Sequence, residues 1–329
     1  MTLPRTLARR RFLHLAAAAA ALPATARIAR AQSYPARSVR IVIGYTPGGS
    51  ADITARLLGQ WLTERLGQPF VVESRPGGGT NIATEAVVRS PADGYTLLLV
   101  APANAINATL YVKLNYDFIR DMAPVAGLIR FPNVMEVNPS VPAKTVPEFV
   151  AYAKANPGKI NYASSGNGST IHMSAELFKM MAGVDLVHVP YRGGAPVLTD
   201  TLAGQVQIMF DNLPTSIEHI RAGNLRPLAI TSTTRSELLP NVPTLADFVP
   251  GYESSAWYGV GAPKGTPGEI IERLNKEINA MLVDPRMMTR IAEMGATRIA
   301  GTPPDFGKLV AEETEKWGKV VRFSGAKAD

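Results

Sequence analysis

The chain has 329 residues, 46% of them hydrophobic and 19% charged, with 28 Gly, 26 Pro and no Cys. That composition is too apolar for a disordered protein and too poor in long aliphatic runs for a multi-span membrane protein, and the missing Cys excludes disulfides and thiolate chemistry. The formal charge of +7 is concentrated at one end, because residues 1–31 carry six Arg and no acid while the rest holds 28 basic and 27 acidic side chains. A remainder of +1 leaves no electrostatic footprint for nucleic acid.

Arg9-Arg10-Arg11-Phe12-Leu13 opens an apolar run to Leu22, followed by Pro23 and the small-residue site Ala29-Arg30-Ala31. A charged start, a short apolar core and an A-x-A site make an export signal cleaved near Ala31, with twin arginines suggesting the folded-protein route and an ordinary secretory signal as the alternative. The run is too short to span a bilayer. The expected location is therefore periplasmic.

After the signal the pattern is strand, Gly-rich loop, helix, repeated. Val39–Ile43 reads as a strand running into Thr46-Pro47-Gly48-Gly49-Ser50 and a helix with Ile53, Leu57, Leu58, Trp61 and Leu62 on one face, stopped by Gly67. Phe70–Val72 is a second strand, followed by Gly77-Gly78-Gly79 and a helix from about Asn81; Thr96–Val100 is a third. A second set follows: strand Val134–Val137, helix Thr145–Ala155, strand Ile160–Ala163, loop Ser164–Ser169 and a helix facing inward with Ile171, Ser174, Ala175 and Phe178. Strands Leu186–Val189, Val206–Phe210 and Leu228–Ile230 complete it. Thr266-Pro267-Gly268-Glu269 reads as a capping box with Pro at the first helical position, opening a helix striped by Ile270, Ile271, Leu274, Ile278 and Leu282. Alternating β and α units imply an α/β fold with mostly parallel sheets flanked by helices.

In such sheets ligands bind beyond the carboxyl ends of the strands. Three Gly-rich loops lie there, at residues 46–52, 76–82 and 164–170, each leading into a helix, and residues 41–55, 76–88 and 163–178 contain no Lys or Arg. Free N–H groups and the positive helix end favour an anion. The bland alternative is that these are tight turns. No P-loop, complete dinucleotide fingerprint or G-x-S-x-G elbow occurs, and His172, His188 and His219 form no metal-binding spacing, so no metal and no cofactor is implied. His172 could be drawn as a base for Ser164 or Ser165, with Asp211 behind it, but more naturally caps or lines its loop. Asp52 reads either as an acid favoured by the helix dipole in the first turn or as the group that holds the 46–52 loop. Arg192 in Tyr191-Arg192-Gly193-Gly194 reads either as the one cation of a cleft loop or as a solvated surface Arg.

Six segments in order resemble the Bug-type receptors of tripartite tricarboxylate transporters: Pro47–Asp52, Gly77–Asn81, Ser164–Gly168, His188–Pro196, Met209–Asn212 and Leu239–Thr244. The match runs from about residue 34 to 320. The resemblance implies a two-lobed periplasmic binding protein of type II-like architecture with two crossover segments near Val134–Val137 and Trp257–Val260. It divides the chain into signal 1–31, lobe 1 over 32–133 plus 258–329, and lobe 2 over 134–257. It also implies a small carboxylate ligand, held by loop backbone groups and bridging waters, and a monomer that hands it to the membrane subunits of a transporter. Carried over, the ligand residues are Pro47, Gly48, Gly49, Ser50, Ala51, Asp52, Asn81, Ile82, Ser164, Ser165, Gly166, Ser169, Thr170, Arg192, Gly193, Gly194, Ala195 and Asp211. The competing readings are a secreted serine hydrolase built on Ser164 or Ser165, and a solute receptor used for sensing.

Overall fold

The computed structural model describes residues 34–328, so the export-signal reading of residues 1–31 lies outside them. In chain order the elements are β1 (Val39–Ile43), α1 (Ser50–Leu66), β2 (Phe70–Ser74), α2 (Asn81–Val88), β3 (Thr96–Val100), α3 (Pro102–Leu110) and the single turn α4 (Phe118–Asp121). Then come β4 (Met122–Val137), α5 (Val146–Ala155), β5 (Asn161–Ser164), α6 (Thr170–Ala182), β6 (Val187–Pro190), α7 (Gly194–Leu202), β7 (Ile208–Asn212), α8 (Leu213–Arg221) and β8 (Arg226–Ile230). The chain ends with β9 (Ser255–Pro263), α9 (Gly268–Val283), α10 (Pro285–Glu293), β10 (Thr297–Arg298) and α11 (Pro303–Ser324).

The sheet is mixed rather than mostly parallel. One half holds the parallel set β2-β1-β3, with Ile41 opposite Val72 and Leu97, and the other holds the parallel set β6-β5-β7, with Tyr162 opposite His188 and Ile208. Antiparallel strands join them, because β3 pairs β9, β9 pairs β4, and β4 pairs β7 and β8. Strand β4 serves both halves: Met122–Pro132 pair with β9, and Asn133–Val137 pair with β7 and β8. Proline lacks the N–H that a continuous ladder needs, and Pro132 falls where the partner changes. The pairing of β4 with β9 also shifts register between Pro124 and Ala126. Two prolines hid this strand from a β pattern read off the sequence.

Small residues in the crossing strands make room for helix α11. A Cβ at Gly259 would lie 2.1 Å from the Phe306 ring, and one at the opposite Gly127 would lie 2.4 Å from Ile299. Phe306 packs with Val42, Leu98, Val100, Trp257 and Val310 in the first half's core. In the second half, Met135, Phe149, Tyr162, Phe178 and Phe210 fill one face of the sheet, and Val134, Met209, Leu213 and Ile217 the other. A smaller cluster of Ile106, Leu110, Met173, Trp317 and Val321 packs α3, α6 and α11 together.

Several local expectations need correction. The capping box at Thr266 does not form: Pro267 is the cap of α9, with no side-chain hydrogen bond, and Thr266 Oγ1 donates to Pro263 O at 2.8 Å. Ile53 is exposed on α1, where Ala51, Thr54 and Ala55 turn inward instead. On α9 the buried stripe takes Met281 and not Ile270. Helices α3 and α8 lack an apolar stripe long enough to announce them, and the strand predicted at Val206–Phe210 sits two residues later. Among the described residues no helix is long and apolar enough to cross a membrane.

Candidate functional site: a convergence of helix N-termini

Five helices begin around one small cavity of 20 Å³. Gly49, Ser50 and Ala51 come from the start of α1, Pro102 from α3, Ser169, Thr170 and Ile171 from α6, Gly194 from α7, and Asn212 from the cap of α8. Each helix directly follows a strand, β1, β3, β5, β6 and β7 respectively, so the topology itself aims their N-terminal ends at a common point. Tyr45, Ser165, Ala256 and Tyr258 complete the wall. No charged side chain lines it. The first N–H groups of a helix have no partner within the helix, and its dipole places roughly half a positive charge there. Several such ends converging without Lys or Arg make a site for an anion bound by peptide groups.

Hydrogen bonds hold these ends in register. Ser50 Oγ donates to Asn212 Oδ1 at 2.8 Å and lies 2.8 Å from the Tyr258 hydroxyl. Asn212 Nδ2 donates to Asn133 Oδ1 at 2.5 Å, Asn133 Nδ2 to Ser174 Oγ at 2.8 Å, and Ser174 Oγ meets Ser254 Oγ at 2.6 Å. This buried chain runs from α1 in one half to the crossing segment of the other. Burial pushes the Tyr45 and Tyr258 phenols well above their usual range, so both remain neutral and able to donate.

The loops beside the cavity are anchored from outside it. Gly48 N and Arg56 Nε both donate to Asp52 Oδ2, at 3.0 and 2.9 Å. Gly168 N donates to His172 Nδ1 at 3.2 Å, which requires that nitrogen unprotonated, and burial together with the neighbouring His188 holds His172 down to about 3. The His172 ring stacks on His188 at 4.1 Å, and His188 Nε2 lies 2.6 Å from Ser164 Oγ.

A second cavity, of 330 Å³, meets the first at Ser165. The Gly77–Gly79 turn, Thr80, Ile82, Tyr111, Gly166, Asn167 and Arg192 are among its walls. Arg192 is the one charged side chain among the described residues lining either space. The two halves touch here: Thr46 N donates to Arg192 O at 3.1 Å, and a Cβ at Gly79 would lie 2.5 Å from Asn167 O.

Of the residues expected at the ligand, Gly49, Ser50, Ala51, Ser165, Ser169, Thr170 and Gly194 line the small cavity, and Ile82, Gly166 and Arg192 the larger one. The others lie elsewhere. Pro47 and Gly48 are exposed in the loop, Asp52 braces it, and Gly193 packs on Thr46. Asn81 Oδ1 accepts from Asn107 Nδ2 and the Tyr116 hydroxyl, which makes it a brace for the start of α2. Ser164 is wholly buried beneath the loop, and Ala195 lies one residue past the wall, toward Gly48. Asp211 points to the opposite face of β7 from Asn212, which takes its place in the wall. Sequence reasoning missed Tyr45, Pro102, Ile171, Asn212, Ala256 and Tyr258. A Tyr at the end of β1 and another in a Gly-rich strand carry no motif of their own.

Residues 54–325 match the family model of the tripartite tricarboxylate transporter family receptor. The chain belongs to that family. This receptor is 40% identical over 310 residues to Protein BugT of Bordetella pertussis, covering 92% of the chain and 95% of the relative. Among solved structures it is similar to R. palustris Rpa4515 with adipate, with TM-score 0.87, 41% identity, and coverage of 89% of this chain and 98% of that one. It is also similar to MatC (Rpa3494) from Rhodopseudomonas palustris with bound malate, with TM-score 0.83, 31% identity, and coverage of 88% and 100%. The α/β architecture read from the sequence is that of these periplasmic receptors.

Proposed function

We propose that this receptor captures a small dicarboxylate and delivers it, as a monomer, to the membrane subunits of its transporter. One carboxylate sits against the N-termini of α1, α6, α7 and α8, and the chain extends past Ser165 into the larger cavity, where Arg192 meets the far end. The observation that carries this reading is the uncharged wall of five helix starts beside a space with a single cation. The relatives solved with adipate and malate, both dicarboxylates, support it. The export signal of residues 1–31, cleaved near Ala31, supports a periplasmic location. The hydrolase alternative draws no support, since Ser164 is fully buried and lines neither cavity, and for Ser165, which lines both, the base drawn for it, His172, already accepts from Gly168 N through Nδ1.

Calorimetry with adipate, malate and a monocarboxylate of the same length tests the reading. Both dicarboxylates, or one, should bind at least tenfold more tightly than the monocarboxylate, in keeping with one charge-assisted hydrogen bond of about 1.5–3 kcal/mol. Equal affinities would remove Arg192 from the account.

The change of partner along β4 and the start of β9 suggest lobes of residues 37–132 with 255–328, and of residues 133–254. A cavity of 20 Å³ holds about one water-sized group, fewer atoms than a carboxylate. The lobes must therefore part to admit the ligand. Small-angle scattering should give a smaller radius of gyration with saturating adipate than without, and an unchanged radius would mean a rigid site.

A further inference from the structure

Behind the anion cavity lie two acids that the binding site does not use. Glu136 and Asp211 are 0% and 1% exposed, and none of their four carboxylate oxygens has a partner at full hydrogen-bond geometry, although the Ser216 hydroxyl and the Asn212 N–H are near enough to favour their charged forms. The β4–β7 register sets Asp211 opposite Val134 and Glu136 opposite Met209. Alternation along each strand puts both acids on one face as diagonal neighbours. Helix α8 covers that face, and its Ser216 hydroxyl, also wholly buried and unpartnered, lies beside Glu136.

The charged groups around this face are engaged elsewhere. On α8, Glu218 and Arg221 pair with each other at 2.7 Å on the surface, and His219, half-buried in the last turn, stands three residues on from Ser216 on the same side of the helix. On α7, Asp200 accepts from the Tyr191 hydroxyl. On β8, the Arg226 guanidinium donates to the carbonyls of Pro139, Val141 and Ala143. From β9 the pair meets Tyr258, which is bound to Ser50. Among the described residues no ion pair reaches Glu136 or Asp211.

Two carboxylates buried without a cation cannot both stay ionised. A metal ion would need space, and none of the cavities described above is lined by either acid. It would also face the positive end of α8. A proton needs no space. We propose that Glu136 and Asp211 form an acid pair that binds a proton as a second ligand of the receptor, taken up as the anion is captured.

The coupling follows from position. Asn212, next in the chain to Asp211, lines the anion cavity from the opposite face, and the Asp211 charge is felt at Tyr258 in the cavity wall. Burial pushes Asp211 up to about 7, and burial with the charge of Asp211 pushes Glu136 well above the carboxylate range. An anion in the cavity disfavours negative charge on the pair and so tightens its hold on the proton. By reciprocity the proton tightens the anion, and affinity should rise as the pH falls through about 7.

This inference rests on the carboxylate reading only in its second half, so the test has two arms. The first uses ligand-free protein: thermal unfolding between about pH 5 and 9 for wild type, Glu136→Gln and Asp211→Asn. Acids with raised values contribute stability at low pH that is lost as the pH rises through those values. Wild type should therefore lose several degrees from about pH 5 up to about 7, between the unfolded carboxyl range and the raised Asp211 value, and both isosteric variants should show a flatter slope. Equal slopes in all three would overturn the proton site. Stabilisation by sodium or calcium that Glu136→Gln abolishes would overturn it too, in favour of a metal.

The second arm is calorimetry of adipate in buffers of different ionisation heat. Wild type should take up a fraction of a proton and bind roughly tenfold more tightly at pH 6.5 than at 8.5. Glu136→Gln should lose most of that dependence, and uptake unchanged in the variant would overturn the coupling. Failure of adipate to bind any of these proteins would instead refute the dicarboxylate reading, leaving the unfolding arm to decide the pair.

Discussion

Gly49→Val is expected to abolish carboxylate binding while the protein remains folded. Gly49 caps α1 with φ −85° and ψ 174°, a conformation open to any residue, so the substitution does not strain the backbone. A Cβ there would lie 3.5 Å from Gly194 N, an ordinary contact that Ala should tolerate. The two methyls of Val reach further, between the starts of α1 and α7, and would keep both sets of N–H groups from the same anion. Each hydrogen bond to a charged group contributes about 1.5–3 kcal/mol, so losing two or three together removes on the order of a thousandfold or more. Arg192→Ala should weaken binding by no more than about a hundredfold, because it removes one side-chain contact and keeps the carbonyl that accepts from Thr46 N. Calorimetry with adipate, after circular dichroism has shown wild-type folding, decides between them. Binding lost in Arg192→Ala and kept in folded Gly49→Val would mean that the guanidinium, not the peptide groups, holds the anion.

Glu313→Ala should be among the most destabilising substitutions in the chain. Glu313 Oε2 accepts from Trp257 Nε1 at 2.9 Å and from Trp317 Nε1 at 2.8 Å, and both indoles are fully buried. Removing the carboxylate leaves two buried donors without a partner, at about 1–3 kcal/mol each. The tie joins α11 to β9, so its loss loosens the C-terminal helix from the sheet it covers. Urea unfolding should report a loss of about 2–5 kcal/mol for Ala and less than half of that for Glu313→Gln, which keeps an acceptor oxygen in place. Equal losses in the two variants would show that the charge, not the acceptor, matters there.

The sequence made the helix starts legible and the far side of each strand illegible. Glycine-rich turns before α1, α2 and α6 are local features, written in consecutive residues, and the structure has them where the sequence places them, whereas the helix after Gly193 carries no such reading. Which residue of Asp211-Asn212 faces the ligand depends on where β7 begins, and a strand displaced by one residue exchanges its faces. Asp211 is carried over from the resemblance, and alternation along β7 turns it to the face opposite Asn212. The role of Asp52 was legible as one of two alternatives, since an acid in the first turn of a helix can reach back to its own loop, and it does so through Gly48 N. Tyr45 and Tyr258 were not legible, because they come into one wall with Ser50 and Asn212 only after strands some two hundred residues apart have joined the same sheet. Strand β4 escaped for a different reason: its two prolines mark places where its partner or register shifts, and a pattern search reads them as breaks.

The uncharged wall of the anion cavity bears on the tempo of capture. Partial charges on peptide groups cancel over short distances, so the cleft exerts little pull on a solute beyond a Debye length, about 10 Å at 0.1 M salt. A site built on lysines or arginines would draw anions in and would slow as salt rose. Here the arrival of solute is left to diffusion, and the hydrogen bonds act only once the solute is inside. If the proposed site is the one used, discrimination between one anion and another should reside in how long each stays, and the rate of capture should change little between dilute and salty surroundings beyond the pull of Arg192.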